Sequence, residues 1–168
     1  MYQTKYVRAK DTNDAVTKLN DEGKLLAGGM TLIPTMKQRL ASPETLVDLA
    51  DCSLAGIEDL GNNLRIGAMT RHVDVETSNF VVEGIPALAA LAAKIGDRQV
   101  RNRGTIGGSI ANNDPSACYP SAVLALDATI HTNSRDIAAD DFFVGMFETA
   151  LEEDEIITAI SFPKPSAA

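Results

Sequence analysis

Apolar and polar positions switch between two periods along the first fifty residues, and the switches predict the elements. Lys5 to Arg8 reads as a short strand. Asp11 and Thr12 then predict the cap of a helix beginning near Asn13, with Ala15, Val16 and Leu19 on its inner side. Gly23 is expected to end that helix in the C-terminal position. Leu25-Leu26-Ala27 predicts a buried strand that runs straight into Gly28-Gly29. Thr31 is placed to cap the next helix, Pro34 is tolerated in its first turn, and Leu32, Ile33, Met36 and Leu40 share one stripe. Ser42-Pro43 breaks the pattern, and Thr45 to Leu49 returns as a strand. Residues 1–53 therefore predict a small α/β lobe.

A second lobe is assigned to residues 54–168. Ile57 to Leu60 and Leu64 to Gly67 flank Gly61-Asn62-Asn63, which predicts a hairpin. Thr70 is placed to cap a helix through Ser78, and Pro86 opens an alanine- and leucine-rich helix to Lys94. Pro120 to Leu126 has helical spacing, while Thr129 to His131 and Ile156 to Phe162 read as strands. The tail Pro163 to Ala168 reads as a stop or a cut end. The predicted class is α+β: a small N-terminal α/β lobe beside a larger lobe with a mixed or antiparallel sheet and helices.

Charge narrows the partners. The net charge of −8 argues against a nucleic-acid or anionic-membrane surface. The exception is a local cationic island formed by Lys94, Arg98, Arg101 and Arg103 against Asp97. It leads directly into a glycine-rich segment and suits an anionic ligand, although a solvated face or structural salt bridges fit it equally. Cys52 and Cys118 are isolated, and with His72 and His131 they show no metal-binding spacing. Two such thiols fit a reducing compartment, the N-terminus lacks an apolar signal core, and no apolar run approaches a membrane span. The expected setting is cytoplasmic.

Two glycine-rich segments carry the candidate chemistry. The longer runs from Arg101 through Gly104-Thr105-Ile106-Gly107-Gly108-Ser109 to Asn112-Asn113-Asp114-Pro115, and its composition predicts a turn with no room for core side chains. The shorter is Leu26-Ala27-Gly28-Gly29-Met30-Thr31-Leu32, between a predicted strand and a predicted helix. Successive main-chain N–H groups in such places form a concave donor cluster for phosphate oxygens, helped by the positive helix end. One phosphate is expected on Gly28, Gly29 and the backbone through Leu32, the other on Thr105, Gly107, Gly108 and Ser109. Each hydrogen bond to a charged group contributes about 1.5–3 kcal/mol, so four to six would anchor a diphosphate without magnesium or a lysine. Gly28-Gly29 also fits a plain turn, and the longer cluster also fits a buried structural turn. Neither matches GxxxxGK[ST] or GxGxxG.

Other readings are weaker. His72 is expected at the surface, His131 in a turn role, Asp140-Asp141 as a helix cap and Glu152 to Glu155 as a solvated acidic run. No serine occupies a nucleophile elbow, so redox chemistry would belong to a bound cofactor.

The ordered pair of glycine motifs resembles the FAD-binding medium subunit of molybdenum hydroxylases, the carbon monoxide dehydrogenase and xanthine dehydrogenase family. The residues that carry the resemblance are Leu26 to Pro34 with Met36-Lys37 and Arg39-Leu40, then Gln99 to Ser109 continuing through Asp114-Pro115. Leu126-Asp127-Ala128, Asp141-Phe142-Phe143, Glu155-Ile156-Ile157 and Phe162-Pro163 also fit it. The resemblance implies that FAD lies between the lobes, held by residues 26–32 and 105–109 together with Asn112 and Asp114. It also implies a molybdenum-binding large subunit and a small subunit with two [2Fe–2S] clusters as partners. Electrons would pass from those clusters to the flavin and then to NAD, a quinone or another acceptor.

Three departures accompany the resemblance. Cys118 stands where many relatives carry an acidic residue, Met30 replaces a commonly polar one, and the family continues into a C-terminal domain beyond Phe162-Pro163. A truncated interaction module that no longer binds FAD is the alternative, and a nucleotide-binding enzyme acting on a phosphate ester is a third reading.

Overall fold

The fold was read from a computed structural model, which describes residues 1–165. The expected tail therefore lies partly outside the described residues. Three short strands, β1 (Lys5–Arg8), β2 (Gly23–Leu26) and β3 (Thr45–Asp48), form a parallel sheet in the order β1-β3-β2. The central strand β3 is buried at every position, as a parallel strand with neighbours on both sides must be. Helices α1 (Thr12–Lys18) and α2 (Leu32–Lys37) lie in the connections. Asp11 caps α1 by accepting from the Asp14 amide at 2.8 Å.

Several local expectations change here. Gly23 does not end α1; Leu19 does, donating its amide to the Ala15 and Val16 carbonyls, and Gly23 starts β2. Leu25 and Leu26 are only half-buried, because β2 is an edge strand beside a cavity. Thr31 precedes α2 without capping it through its side chain. That helix stops at Lys37, Arg39 turns to a positive φ of 63°, and Leu40 is left 75% exposed.

The second layer is an antiparallel sheet built from β4 (Ile57–Asp59), β5 (Asn63–Gly67), β6 (Thr129–Thr132), β7 (Asp136–Ala138) and β10 (Ile157–Pro163). Its order is β4-β5-β10-β6-β7, with β10 paired on both sides. The hairpin between β4 and β5 turns at Gly61, whose φ of 84° suits a residue without a side chain. A group of helices accompanies this sheet: α3 (His72–Thr77), α4 (Asn79–Gly84), α5 (Pro86–Ala93), α6 (Arg98–Arg103), α7 (Ile106–Asn112), α8 (Cys118–Ala125) and α9 (Ala139–Phe142). A small hairpin, β8 (Phe143–Gly145) with β9 (Glu148–Thr149), follows α9.

The molecule is thus α+β, with a parallel and an antiparallel sheet. Thr70 does not cap α3; its hydroxyl bridges the Gly56 amide and carbonyl, both at 3.0 Å. Asp140 and Asp141 sit inside the first turn of α9 rather than at its cap. The larger change concerns the longer glycine segment, which forms a helix. Ile106 and Ile110 on α7 are completely buried in the main core with Leu64, Ile66, Tyr119 and Phe162, so this segment does house core side chains. The smaller core gathers Ala9, Ala15, Val47 and Leu49, and it is completed by Ile156, with Leu54 and Met69 packed against it. Residues from the second layer therefore close the core of the first.

Candidate functional site

A cavity of about 760 Å³ opens where the two layers meet, and both glycine segments line it. From the first segment Leu26, Ala27, Gly28, Gly29, Met30, Thr31 and Leu32 all border the cavity. From the second come Thr105, Gly107, Gly108 and Ser109, with Asn112 and Asp114 beyond them. Ile106 is the exception: it is fully buried in the main core and faces no cavity. Helical periodicity sets it on the side of α7 opposite the opening.

The two segments offer different chemistry. In the first, β2 ends at Leu26, Gly29 adopts a φ of 73°, and α2 begins at Leu32. The amides of Gly28, Gly29, Met30, Thr31 and Leu32 donate to no other group among the described residues; the helical pattern starts with Ile33 donating to the Gly29 carbonyl at 3.0 Å. Five consecutive donors thus remain free at a cavity wall, which is the arrangement that binds an oxyanion.

In the second, the amides are already used. Ile106 donates to the Thr70 carbonyl at 3.0 Å, Gly107 to the Ala68 carbonyl at 2.9 Å, and Ser109 to the Thr105 carbonyl at 3.0 Å. Gly108 donates to Thr105 Oγ1 at 3.2 Å, which caps α7. The expected second set of free N–H groups is therefore absent. What faces the cavity there is the hydroxyl chemistry of Thr105 and Ser109 and the positive end of α7.

The glycines themselves serve close packing. A Cβ on Gly28 would lie 1.9 Å from the Arg103 carbonyl oxygen and 3.0 Å from Gly104 Cα. One on Gly107 would lie 2.6 Å from Ala68 Cβ, and one on Gly108 would meet Thr105 Oγ1 at 2.9 Å. Gly28 lets the first segment touch the loop that leads into the second, so the two segments share one cavity.

The rim is held by Asn113, in the left-handed region at φ 40°. Its Nδ2 donates to the Gly145 and Glu148 carbonyls at 2.8 and 2.9 Å, and its carbonyl accepts from the Phe147 amide at 3.1 Å. These bonds seat the β8–β9 hairpin so that Phe147, 59% exposed, borders the cavity. Asp114 accepts from the Ser116 amide and hydroxyl, which holds its carboxyl below the usual range. Cys118 does not border the cavity, whereas Ser116 and Ala117 do.

His72 also lines the cavity, and it is only 4% exposed rather than at the surface. Burial pushes its pKa down to about 4, so it is neutral near pH 7. Glu155 corrects the reading of a solvated acidic run. Its side chain is 2% exposed and pairs with Arg135 Nε at 2.8 Å, while Thr132, Ser134 and the Glu152 amide donate to it. The Arg135 guanidinium holds the Glu155 carboxyl well below the ordinary carboxylate range. His131 is not in a turn; from β6 its Nδ1 meets Asp136 at 2.6 Å and its Nε2 meets Ser161 at 2.7 Å. Within the cationic island, Arg101 pairs with Glu76 at 3.0 Å. Sequence reasoning missed Met69, His72, Phe147 and Leu151 at the cavity. The one signal for Phe147 was three large apolar residues, Val144, Met146 and Phe147, near a turn with no partner pattern.

Among the described residues, no three His, Cys, Asp or Glu side chains come together to hold a metal ion, and no helix is long and apolar enough to cross a membrane. Residues 2–165 match the family described as the FAD binding domain in molybdopterin dehydrogenase. The carbon monoxide dehydrogenase medium chain of Afipia carboxidovorans is 42% identical over 95% of this chain and 58% of its own length. The nicotine 6-hydroxylase medium subunit of Paenarthrobacter nicotinovorans is 37% identical over 95% of this chain and 59% of its own. A solved structure of carbon monoxide dehydrogenase from Hydrogenophaga pseudoflava superposes with a TM-score of 0.96 at 40% identity, covering 99% of this chain and 61% of that one. The chain thus spans about three-fifths of the relatives it matches.

Proposed function

The chain belongs to the family of FAD-binding domains of molybdopterin dehydrogenases, and on that premise we propose that it is the flavin-carrying part of an electron-transfer subunit of a molybdenum hydroxylase. The two lobes meet at residues 53 and 54, and the cavity between them is the flavin site. The observation that carries this reading is the run of five unpaired amides from Gly28 to Leu32 opening on the same cavity as Thr105 and Ser109.

The residues fit a dinucleotide with a phosphate bridge. Amides of Gly28 to Leu32 would hold one phosphate, and the Thr105 and Ser109 hydroxyls at the start of α7 the other. Leu26 and Ala27 form an apolar wall, Gly108 leaves the approach open, and Asn112 and Asp114 supply polar contacts at the rim. The cavity volume of about 760 Å³ lies within the range of small-molecule sites. Bound FAD supplies the chemistry that these side chains lack, accepting and releasing electrons one or two at a time. The protein's own part is to bind, to orient and to exclude water: the amides fix the phosphate bridge, and Phe147, Met69 and Leu151 present apolar surface to the rest of the ligand.

The same reading assigns the partners. A small subunit with [2Fe–2S] clusters delivers electrons from a molybdenum-binding large subunit, and the flavin passes them to NAD, a quinone or another acceptor. Support comes from relatives that are named medium chains and medium subunits. A cytoplasmic setting belongs to this reading, supported by the unbridged thiols of Cys52 and Cys118. Purified protein mixed with FAD should gain a flavin absorption spectrum that survives gel filtration, with the flavin released on denaturation. A well-folded sample that takes up no FAD would overturn the assignment.

A further inference from the structure

Three consecutive residues carry the second layer across to the first. Glu155 borders the cavity, Ile156 completes the smaller core, and Ile157 enters the main core. Leu151, Glu152 and Glu153 border the same cavity, so the stretch from Leu151 to Ile157 forms one of its walls. Residues 151–156 belong to no helix or strand. Their position must therefore be fixed by side chains.

A single turn, Asn133 to Arg135 between β6 and β7, grips this wall. Arg135 donates Nε to Glu155 Oε1 at 2.8 Å and Nη2 to Oε2 at 2.9 Å, a two-pronged pair on a side chain that is 2% exposed. The Ser134 hydroxyl and the Glu152 amide donate to the same carboxylate at 2.8 and 3.0 Å. Arg135 Nη2 also donates to the Ala150 carbonyl at 2.7 Å. Asn133 holds Ile156 from both sides: its Oδ1 accepts from the Ile156 amide at 2.7 Å, and its own amide donates to the Ile156 carbonyl at 3.0 Å. Just beyond, the ladder between β6 and β10 shifts register between Ile157 and Ala159, an irregularity of the kind that re-aims side chains beside binding sites.

Stability by itself does not call for this network. Apolar residues of similar volume in place of a buried ion pair commonly leave a fold as stable or more so. The polar network gives the wall a defined position, because a carboxylate with four donors and a peptide unit held from both sides admit one arrangement. We propose that Arg135, Glu155 and Asn133 are positioning residues of the flavin site, holding residues 151–156 in the arrangement that FAD requires before FAD arrives. This rests on the FAD reading given above and extends it to a hairpin turn whose residues 133–135 do not border the cavity. A site that is competent in only about a tenth of molecules binds about tenfold more weakly, since apparent affinity falls with the competent fraction.

The test uses the 168-residue chain with FAD as the probe, and it reads both affinity and amide hydrogen exchange. Flavin fluorescence titration should show Arg135→Ala and Asn133→Ala each weakening FAD binding by about tenfold, although neither removes an atom at the cavity. Arg135→Lys keeps the charge without the fork and should recover part of that loss. Exchange at Ile156 is compared with exchange at Ile130 in the central sheet, which reports global opening. In the wild type both amides should exchange slowly with or without FAD. In either alanine variant the Ile156 amide should exchange fast in the free chain and slow on saturation with FAD, by more than the Ile130 amide does. Should Arg135→Ala fail to fold, Asn133→Ala, at an exposed and uncharged position, decides alone. Folded variants that bind FAD like wild type, or whose Ile156 amide responds to FAD no more than Ile130, would make the turn a support of the fold and leave the flavin reading intact. A wild-type chain that does not bind FAD removes both.

Discussion

The two glycine segments have similar compositions and different physical roles. Residues 28–32 leave five amides free at the cavity, whereas the amides of residues 106–109 are consumed by Thr70, Ala68 and Thr105. Gly29 needs its positive φ, while Gly107 and Gly108 lie in a regular helix and carry no positive φ. In the first segment glycine shapes a donor nest; in the second it lets a helix lie against Ala68. Glycine content thus marks two needs, an unusual backbone angle and a close approach, and only the first by itself leaves donors for a ligand.

Gly28 joins the two roles, so its substitution has the largest expected effect. A Cβ 1.9 Å from the Arg103 carbonyl oxygen cannot be relieved by a side-chain rotation, because the obstacle is backbone. Gly28→Asp adds a negative charge beside the free amides. We expect it to abolish FAD uptake and to cost about 3 kcal/mol or more in stability. Gly107→Ala should cost about 1–3 kcal/mol through contact with Ala68, yet its folded fraction should still bind FAD. Equal loss of FAD binding in both would mean that the second segment also contacts the phosphates directly. Urea unfolding and FAD titration of the two variants separate these outcomes.

Acid titration separates two buried groups that both border the cavity, His72 and Glu155. The folded pKa of His72, about 4, lies below its ordinary value of 6.5, so the unfolded chain binds the extra proton first. Stability from the neutral imidazole is complete above about pH 6.5 and is lost as the pH falls toward 4, by roughly 3 kcal/mol in total. His72→Gln should flatten that limb. Glu155 works in a lower window. Arg135 holds its carboxyl below the ordinary 4.5, so its contribution is full above that value and fades as the pH falls further. Glu155→Gln should lower the melting temperature by about 4 °C at pH 7 and remove only the lowest limb. Melting curves from pH 7 to 3 check both. A His72→Gln curve with an unchanged slope between pH 6.5 and 4 would show that the imidazole stays hydrated in the folded protein.

Much of the fold was legible because the local signals agreed with the packing. Asp11 caps α1, Pro86 opens α5, and Gly61 turns the β4–β5 hairpin, all as their chemistry requires. The segments that line the cavity were legible for the same reason, since a strand, two glycines and a helix start leave donors without partners. The failures have a common cause. Gly107 inside α7 is set by a tertiary contact with Ala68, which propensity cannot see, and Gly23 at the start of β2 by a tight turn in which its amide donates to the Asn20 carbonyl at 2.8 Å. The burial of His72 depends on Tyr119, forty-seven positions away, and that of Glu155 on Arg135, twenty positions away. Phe147 reaches the cavity only because Asn113 ties down the β8–β9 hairpin.

The smallest effect belongs to Thr105, and it bears most directly on the contrast between the segments. Thr105 Oγ1 accepts from Gly108, so Thr105→Ala removes a helix cap worth about 1 kcal/mol and should lower the melting temperature by about 2 °C. Thr105→Ser keeps the acceptor and should restore it. The hydroxyl oxygen already accepts from the Gly108 amide, and its single proton is the one donor this side chain can offer a ligand. FAD affinity should therefore fall in Thr105→Ala by far less than in Gly28→Asp, and Thr105→Ser should bind as wild type. A melting shift with no change in affinity would make the second segment a wall and leave the phosphate grip to residues 28–32 alone. A complete loss of FAD binding in a folded Thr105→Ala would reverse the division of labour, making one hydroxyl outweigh five amides.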